Sequence, residues 1–378
     1  MARDDIARSG ELAGSDEISF GSGRPGVRWR SGWLLIVAGT VLVAVAAVVA
    51  VVVIGQGKKA PRPPSAVVVS EVGHRLLDVT ASWELFGSGP AGLVRVQLAR
   101  GRITRTVVPP LDSRGAVSFV VGPNQAVISP VGGVAGYLVP DGHPARSLSG
   151  AFNHGGTVIP GPRPGTVLVQ AGYQVTSLSL VRLDGSMTGV SLRLPPGGPT
   201  LPVPDGQGYA LVFGVRSGDL YDVRPGGFHR IAGPLAAVGP TRWLTVDCRS
   251  HHRCSYVVLD PASGARSMLP GPAAQPNGPL GVVAPDGSAA AVIRVIGGQQ
   301  TLRLINLASG ADQRITVPMY QESLGPQAAL AWSPDSRWLF FITARGDLAA
   351  VNARTERVQG LGVTLPLVSQ IAVRNSHG

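Results

Sequence analysis

The stretch WSPDSRWLFF, from Trp332 to Phe341, is the fullest copy of a short unit in which a proline turn precedes an apolar run. Six of seven such runs follow a proline by two to five residues. Proline presets a turn and cannot donate to a sheet ladder, so these runs are predicted to be β-strands that begin just after turns. The runs are WELFG from Trp83, AVISP from Ala126, TVLVQ from Thr166, YALVF from Tyr209, WLTVD from Trp243, AAVIR from Ala290 and WLFFI from Trp338.

A second marker recurs along the chain with a similar spacing. It consists of two predicted strands joined by a tight turn. Its turn residues are Gly101, Gly142, Gly185, Gly227, Gly264, Gly310 and, at the seventh place, Thr355. Successive turn residues are 37 to 46 residues apart. Two independent markers thus predict seven repeats of about 42 residues.

A period near 42 with four short strands per unit is typical of a β-propeller blade. We therefore predict an all-β fold, a seven-bladed β-propeller over residues 66–378, with six or eight blades as alternatives. The segment VSQIAVR, Val368 to Arg374, is a candidate closing strand that would pair the last blade with the first. A pair of β-sandwiches is the competing fold, but its strands would not be expected to keep this spacing.

The stretch from Trp332 resembles the W-S-P-D-G-R-x-L-x-F motif of TolB-like and related WD-repeat-like bacterial propellers, with Ser336 in place of the usual glycine. The resemblance implies an extracytoplasmic propeller that docks partners rather than catalyses. Asp286 and Asp205 lie in weaker copies of the motif, and each aspartate is expected to bond its own turn, with lining of a central channel as the alternative. The motif residues are Trp332, Ser333, Pro334, Asp335, Asp286 and Asp205.

Composition agrees with a turn-rich β-protein. The chain has 378 residues, with 51 glycines and 32 prolines, which interrupt it too often for a helical protein. Its 44% hydrophobic content rules out a wholly disordered chain. The formal net charge is +11.

Residues 33–54 form a charge-free apolar run of 22 residues, which as a helix would span roughly 33 Å and cross a bilayer. A cleaved signal peptide is the alternative, but the run is longer than a usual signal h-region. We expect residues 1–32 to form a disordered cytoplasmic tail, 33–54 an uncleaved transmembrane helix, 55–65 a Pro-rich linker and 66–378 an extracytoplasmic propeller. The predicted location is the cell membrane, with a single span and the N-terminus inside.

Cys248 and Cys254 flank a short segment between two predicted strands, where a cross-strand disulfide is expected. A zinc site and free thiols are the alternatives. A disulfide would agree with a domain outside the cytosol.

Catalytic motifs are missing from the sequence: it has no G-x-S-x-G elbow, H-E-x-x-H or P-loop. We therefore predict no catalytic, cofactor-binding or metal-binding residues and no cofactor. A repeat fold can still bring distant residues together at its channel, so the sequence weakens an enzyme function without excluding it.

Arginines recur beside the second hairpin of each repeat, and equivalent hairpins of a propeller lie on one rim. They could form a basic rim that faces an acidic polymer or lipid head groups. The alternative is a solvated edge whose charges discourage strand pairing. The rim residues are Arg102, Arg146, Arg182, Arg224, Arg266, Arg314 and Arg354.

Together these features favour a binding or scaffold module of the cell envelope, whose partner is the membrane and an envelope protein or acidic polymer rather than nucleic acid. The alternative is a membrane-tethered hydrolase or lyase that acts on an envelope polymer. A third candidate is a sensor, although the tail has no recognisable signalling motif.

Overall fold

A computed structural model describes residues 67–375, with gaps at 78–81, 90–91, 110–116, 131–134, 154–155, 171–175, 197–201, 214–218, 232, 251–252, 272–273, 275–279, 297–298, 318–328 and 366–367. The predicted tail, membrane helix and linker lie outside the described residues. Among the described residues, no helix has the length and apolar character that a bilayer crossing needs.

The described residues form strands that pair antiparallel with one exception given below, and one 3-10 turn at Gly150–Phe152. The first sixteen strands are β1 Val67–Glu71, β2 Trp83–Gly89, β3 Gly92–Gln97, β4 Arg102–Thr106, β5 Val117–Val121, β6 Gln125–Pro130, β7 Tyr137–Pro140, β8 Arg146–Ser147, β9 Thr157–Pro160, β10 Thr166–Gln170, β11 Ser177–Arg182, β12 Met187–Arg193, β13 Val203–Pro204, β14 Ala210–Phe213, β15 Leu220–Arg224 and β16 Gly227–Ile231. The remaining strands are β17 Leu235–Val238, β18 Trp243–Ser250, β19 Arg253–Leu259, β20 Arg266–Met268, β21 Gly281–Val283, β22 Ala289–Ile296, β23 Gln299–Asn306, β24 Asp312–Ile315, β25 Leu330–Trp332, β26 Trp338–Ile342, β27 Asp347–Asn352, β28 Val358–Thr364 and β29 Gln370–Asn375.

Hydrogen bonding groups these strands into seven blades within the described part of the chain. Blades 2, 3, 4 and 7 are four-stranded sheets of consecutive strands, β5–β8, β9–β12, β13–β16 and β25–β28. Blades 5 (β17–β20) and 6 (β21–β24) are joined by a short parallel contact between β17 and β21, their first strands. Blade 1 has the order β1-β4-β3-β2-β29, so it contains a fifth strand, β1, that the sequence did not predict.

The C-terminal strand closes the ring. β29 pairs with β2 over six positions, from Trp83 opposite Asn375 to Ser88 opposite Gln370. Blade 1 therefore takes its first strand from the end of the chain and its other strands from the beginning. This is the role predicted for the segment VSQIAVR.

The core lies between blades rather than within them. Seven buried clusters occur among the described residues, each shared by two neighbours in the ring, including blades 7 and 1. In β26, Phe340 packs against blade 1 and Phe341 against blade 6, and neither is accessible to solvent. Strands buried on both faces read as continuous apolar runs, which explains why the repeat shows such runs instead of alternation.

The predicted all-β fold and its propeller architecture are confirmed. Each of the seven apolar runs lies in the second strand of a blade, and each predicted hairpin joins the third strand to the fourth. One turn assignment is wrong: Glu356, not Thr355, takes the place of the turn glycine in blade 7. Glu356 has φ 62°, as Gly310 and Gly264 have φ 72°, so it adopts the left-handed conformation that the turn requires.

Candidate functional site

The turns that join first to second strands and third to fourth strands lie at the same edge of every blade, because the strands of a blade alternate in direction. We call this edge the turn face. The Pro-Asp turns and all seven predicted rim arginines belong to it. Candidate binding residues are therefore concentrated on one face of the propeller.

The rim arginines differ in exposure. Arg224 is the exception, because it is partly buried and bonds the carboxylate of Asp222 at 2.7 Å. Arg102, Arg146, Arg182, Arg266, Arg314 and Arg354 are exposed. Six of the seven can therefore reach a ligand in solvent, whereas Arg224 serves a buried ion pair.

The aspartates of the Pro-Asp turns bond their own turns. Asp335 Oδ1 accepts the Ser333 hydroxyl at 2.6 Å and the Arg337 N–H at 3.1 Å. Asp286 Oδ1 accepts the Ser288 N–H at 2.9 Å. In the same motif, Pro334 is exposed and Trp332 is buried, with its Nε1 donating to the Val282 carbonyl at 3.1 Å. These side chains hold turns and blades in place.

Asp205 belongs to a more deeply buried group. Its Oδ1 accepts the N–H groups of Gln207 and Tyr209 at 2.7 and 2.8 Å, and its Oδ2 lies 3.7 Å from Arg224 Nη2. Burial raises the pKa of Asp205 above its ordinary value, against the two N–H bonds, and the nearby Asp222 carboxylate raises it further. Because the side chain is inaccessible, a substrate cannot reach it.

The two cysteines lie on opposite strands of the β18–β19 hairpin. Cys248 is directly opposite Cys254, their Cα atoms are 4.0 Å apart, and their sulfurs are bonded in a disulfide. The hairpin end that they bracket lies at the face opposite the turn face. The disulfide thus occupies a different part of the propeller from the arginines.

A buried charge cluster at the ring closure was missed by the sequence analysis. Glu84 of β2 accepts hydrogen bonds from Arg95 of β3, Arg374 of β29 and Gln97, the last at 3.0 Å. Asp141 of blade 2 pairs with Arg374 at 2.5 Å and with Arg95 at 3.3 Å. The signal was present in the sequence, because WELFG and VSQIAVR carry opposite charges in two strands predicted to meet.

The charge on Glu84 is stabilised by this cluster. Burial opposes its ionisation, but hydrogen bonds from Arg95, Arg374 and Gln97 outweigh burial and hold the pKa of Glu84 below the ordinary value of 4.5. The carboxylate is therefore ionised at neutral pH and ties three strands of blade 1 together. Asp141 extends the cluster to blade 2.

A second ion cluster lies between blades 5 and 6. Asp312 bonds Arg303 Nε at 2.7 Å and lies 3.3 Å from Arg294 Nη2. The Arg294 guanidinium also sits 5.6 Å from the centre of the Tyr256 ring, at cation–π distance. Arg303 and Asp312 are thus engaged with each other, and both reach the wall of a groove.

This groove lies on the turn face and could hold a ligand. It has a volume of about 960 Å³ and is lined by turns of blades 6 and 7. Exposed Arg314, Arg337 and Arg354 line it together with Glu356. The Asp286 N–H donates to the Ser336 hydroxyl at 3.0 Å across the groove and connects its two walls.

Both described non-glycine residues with positive φ line the groove. Ser336 has φ 60° and Glu356 has φ 62°. The left-handed conformation costs a non-glycine residue about 1–2 kcal/mol, and at the position of Glu356 the equivalent turns of blades 5 and 6 use Gly264 and Gly310. Such strained residues are concentrated at ligand sites in proteins, which makes the groove the candidate binding site.

We predict that Glu356→Gly raises the free energy of unfolding by about 1 kcal/mol, because glycine adopts this conformation without strain. Urea denaturation of the full chain measures the change. Gly264→Glu is the matched reverse substitution: Gly264 has φ 72° and no neighbour within 4 Å of an added Cβ, so the loss should be of similar size. An unchanged or lowered stability of Glu356→Gly would contradict the assignment of strain to this turn.

Within the described residues, no group of three or more His, Cys, Asp or Glu side chains could hold a metal ion. The carboxylates that do approach one another, such as Asp205 and Asp222, are bonded to Arg224. The chemistry that the described turn face offers is therefore recognition by guanidinium, amide and carboxylate groups.

Comparisons with known proteins give structural likeness only. No family model matches the chain, and no curated protein matches it. A functionally unknown protein from Desulfotomaculum acetoxidans superimposes with a TM-score of 0.51 at 11% identity, over 78% of this chain and 99% of that one. At that identity the likeness concerns the fold alone.

Two further solved structures have lower scores. TolB from Acinetobacter baumannii has a TM-score of 0.46 at 13% identity, over 79% of this chain and 67% of its own. AztD from Citrobacter koseri has a TM-score of 0.44 at 13% identity, over 78% of this chain and 98% of its own. The function must therefore be argued from the residues of this chain.

Proposed function

We propose that this chain is a membrane-anchored, extracytoplasmic β-propeller that binds an acidic polymer of the cell envelope through its turn face. The observation that carries the proposal is the set of six exposed arginines on one face of a closed ring. An excess of one sign of charge on a face attracts ligands of the other sign and raises their association rate. The net charge of +11 has the sign that this partner requires.

The membrane part of the proposal comes from the sequence. The apolar run at residues 33–54 has the length of a bilayer span, and eleven residues, 55–65, separate it from the predicted propeller. A bonded pair of cysteines agrees with an oxidising compartment. The anchor would hold the binding face within reach of envelope polymers.

The alternative, a tethered hydrolase or lyase, needs accessible titratable groups that converge on a substrate. Asp205 has the raised pKa that a general acid would need, but it is fully buried and bonded to its own turn. Glu84 is also buried, and its pKa is lowered by arginines. Recognition accounts for the exposed groups better than acid–base catalysis does.

Topology and binding can be tested on the full-length chain. We expect an impermeant maleimide to label Ala308→Cys, an exposed turn residue of blade 6, in intact cells, and to label Ser15→Cys in the tail only after lysis.

We also expect the purified chain in detergent to retain polygalacturonate but not uncharged dextran, with retention falling as salt rises. Labelling of Ser15→Cys from outside, or salt-independent binding, would contradict the proposal.

A further inference from the structure

In the groove between blades 6 and 7, the free groups carry both signs of charge. Arg314, Arg337 and Arg354 have no ion pair among the described residues, and Glu356 has none either. The other carboxylates are engaged: Asp312 bonds Arg303, and Asp286 and Asp335 bond their turns. Three guanidinium groups and one carboxylate are thus available to a ligand.

The groove wall also offers neutral polar groups. The Asn306 side-chain oxygen accepts the N–H groups of Ala308 and Ser309 at 3.0 and 2.9 Å, which leaves its amide NH₂ to donate. Gln313 lies partly exposed on β24 at the same wall. Amide donors and acceptors beside a carboxylate match the hydroxyl groups of a sugar.

The groove is a poor fit for a peptide or an apolar ligand. Its larger apolar residues, Leu304 and Ile305, are buried at 7% and 0% exposure and belong to the clusters between blades. Peptide grooves and small-molecule pockets usually present apolar or aromatic side chains to the ligand. A volume of about 960 Å³ suits several sugar rings in an open cleft better than one small enclosed molecule.

The strained turns point to the same place. Blades 5, 6 and 7 carry Asp260, Asn306 and Asn352 at equivalent positions, 46 residues apart. In the first two turns the residue four positions later is glycine, and in blade 7 it is Glu356. A carboxylate thus replaces glycine in the blade 7 turn, which lines the groove together with the blade 6 turn that begins at Asn306.

From these observations we infer that the groove is a binding site for an acidic glycan, a sugar chain that carries carboxylate or phosphate groups. Arg314, Arg337 and Arg354 bind the anionic group through charge-assisted hydrogen bonds. Glu356 and the amides of Asn306 and Gln313 bind the sugar hydroxyls. The inference rests on the proposed function and makes it specific, since it assigns the polymer a sugar backbone and one site.

The test is direct binding to the full-length chain in detergent, measured by calorimetry. The probes are a galacturonate oligosaccharide, a galactose oligosaccharide of equal length and a glycerol-phosphate oligomer. We expect galacturonate to bind and galactose to bind at least tenfold more weakly. The glycerol-phosphate oligomer tells whether carboxylate or phosphate is the preferred anion. Binding of galactose as tight as that of galacturonate would overturn the acidic character of the ligand.

Two triple variants with the same loss of charge separate the groove from the rim. Replacing Arg314, Arg337 and Arg354 with glutamine should weaken galacturonate binding at least tenfold. The same change at Arg102, Arg146 and Arg182, exposed rim residues of blades 1 to 3, should weaken binding of this short oligosaccharide less than threefold, because these residues can attract a long polymer but do not line the groove. Equal losses in both triples would overturn the groove site and leave the rim proposal standing. No binding by the unmodified chain would overturn both.

Glu356 supplies an independent readout. Glu356→Gly, expected to stabilise the fold, should weaken galacturonate binding about threefold or more, and Glu356→Gln should retain most of the affinity because its amide oxygen still accepts hydroxyl groups. If Glu356 had only a structural role, a variant that is more stable would not be expected to bind galacturonate more weakly. Tighter binding by Glu356→Gly would mean that the carboxylate repels the ligand, and would remove Glu356 from the site.

Discussion

Replacing Glu84 with glutamine is expected to lower the free energy of unfolding by about 3 kcal/mol. The substitution keeps the shape of the side chain but leaves Asp141 as the one carboxylate paired with Arg95 and Arg374, beside the Gly122 carbonyl to which Arg374 also donates. Arg374 is almost inaccessible, at 10% side-chain exposure, so solvent cannot replace the lost partner. Chemical denaturation of the full-length chain would measure the effect.

Lowering the pH should also remove the contribution of Glu84 to the free energy of unfolding. Because the pKa of Glu84 is lower in the folded chain than its ordinary value of 4.5, its stabilising effect is complete above pH 4.5 and is lost as the pH falls through the lower folded value. The stability difference between the native chain and Glu84→Gln should therefore narrow in that acidic range. A difference that stays constant to low pH would show that the effect comes from packing and not from charge.

Two further variants control for this experiment. Glu71→Gln changes an exposed carboxylate of the same blade and should alter stability by less than about 0.5 kcal/mol. The double variant Glu84→Met with Arg374→Met should cost less than the sum of the single changes, since it leaves no unpaired charge from that pair. Additive losses would contradict the view that Glu84 and Arg374 act as one ion pair.

The fold could be predicted from the sequence because each repeat contains the turn residues that mark the ends of its strands. Proline turns and left-handed glycines are set by local backbone sterics, so their spacing could be read without knowledge of any contact. The closing strand could be predicted from the repeat as well, since the apolar run VSQIAVR remains after the seven repeats have been assigned. The fifth strand β1, VVVSE, follows directly after the linker and carries no turn marker, which explains why it was missed.

The candidate site could be predicted only in part. The rim arginines recur with the repeat and were identified, but the partial burial of Arg224 depends on Asp222 and Asp205, which only the folded blade brings together. The groove depends on two departures from the repeat. Ser336 is visible in the sequence as a departure because it stands where the motif has glycine. Glu356 is less visible, because Thr355 beside it fits the spacing of the turn glycines equally well. The spacing from Asp260, Asn306 and Asn352 identifies Glu356, since each of these residues precedes the left-handed residue by four positions.

Removing the closing strand is expected to have the largest effect. Deletion of residues 370–378 takes away β29, the first strand of blade 1, and with it the buried Ile371 and the Arg374 partner of Glu84. Burial of a large aliphatic side chain contributes about 1.5–3 kcal/mol, and breaking the buried Glu84–Arg374 pair by removing one partner costs about 3–5 kcal/mol more. This loss is comparable to the entire stability of a typical domain, about 5–15 kcal/mol. We therefore expect the cooperative unfolding transition to disappear.

The deletion also tests whether blade 1 is completed from both ends of the chain. Without β29, the backbone of β2 presents an unpaired edge between Trp83 and Gly89, a template for another strand. A synthetic peptide of residues 368–378, added in trans, should restore the transition, and the same peptide with Ile371→Asp should not, because Ile371 packs into the cluster shared by blades 7 and 1. Deleting only residues 376–378, beyond the end of β29, is the matched control and should leave the transition unchanged. If the variant lacking β29 still unfolds cooperatively, with the same midpoint denaturant concentration as the full-length chain, the stability of the ring does not depend on this closure.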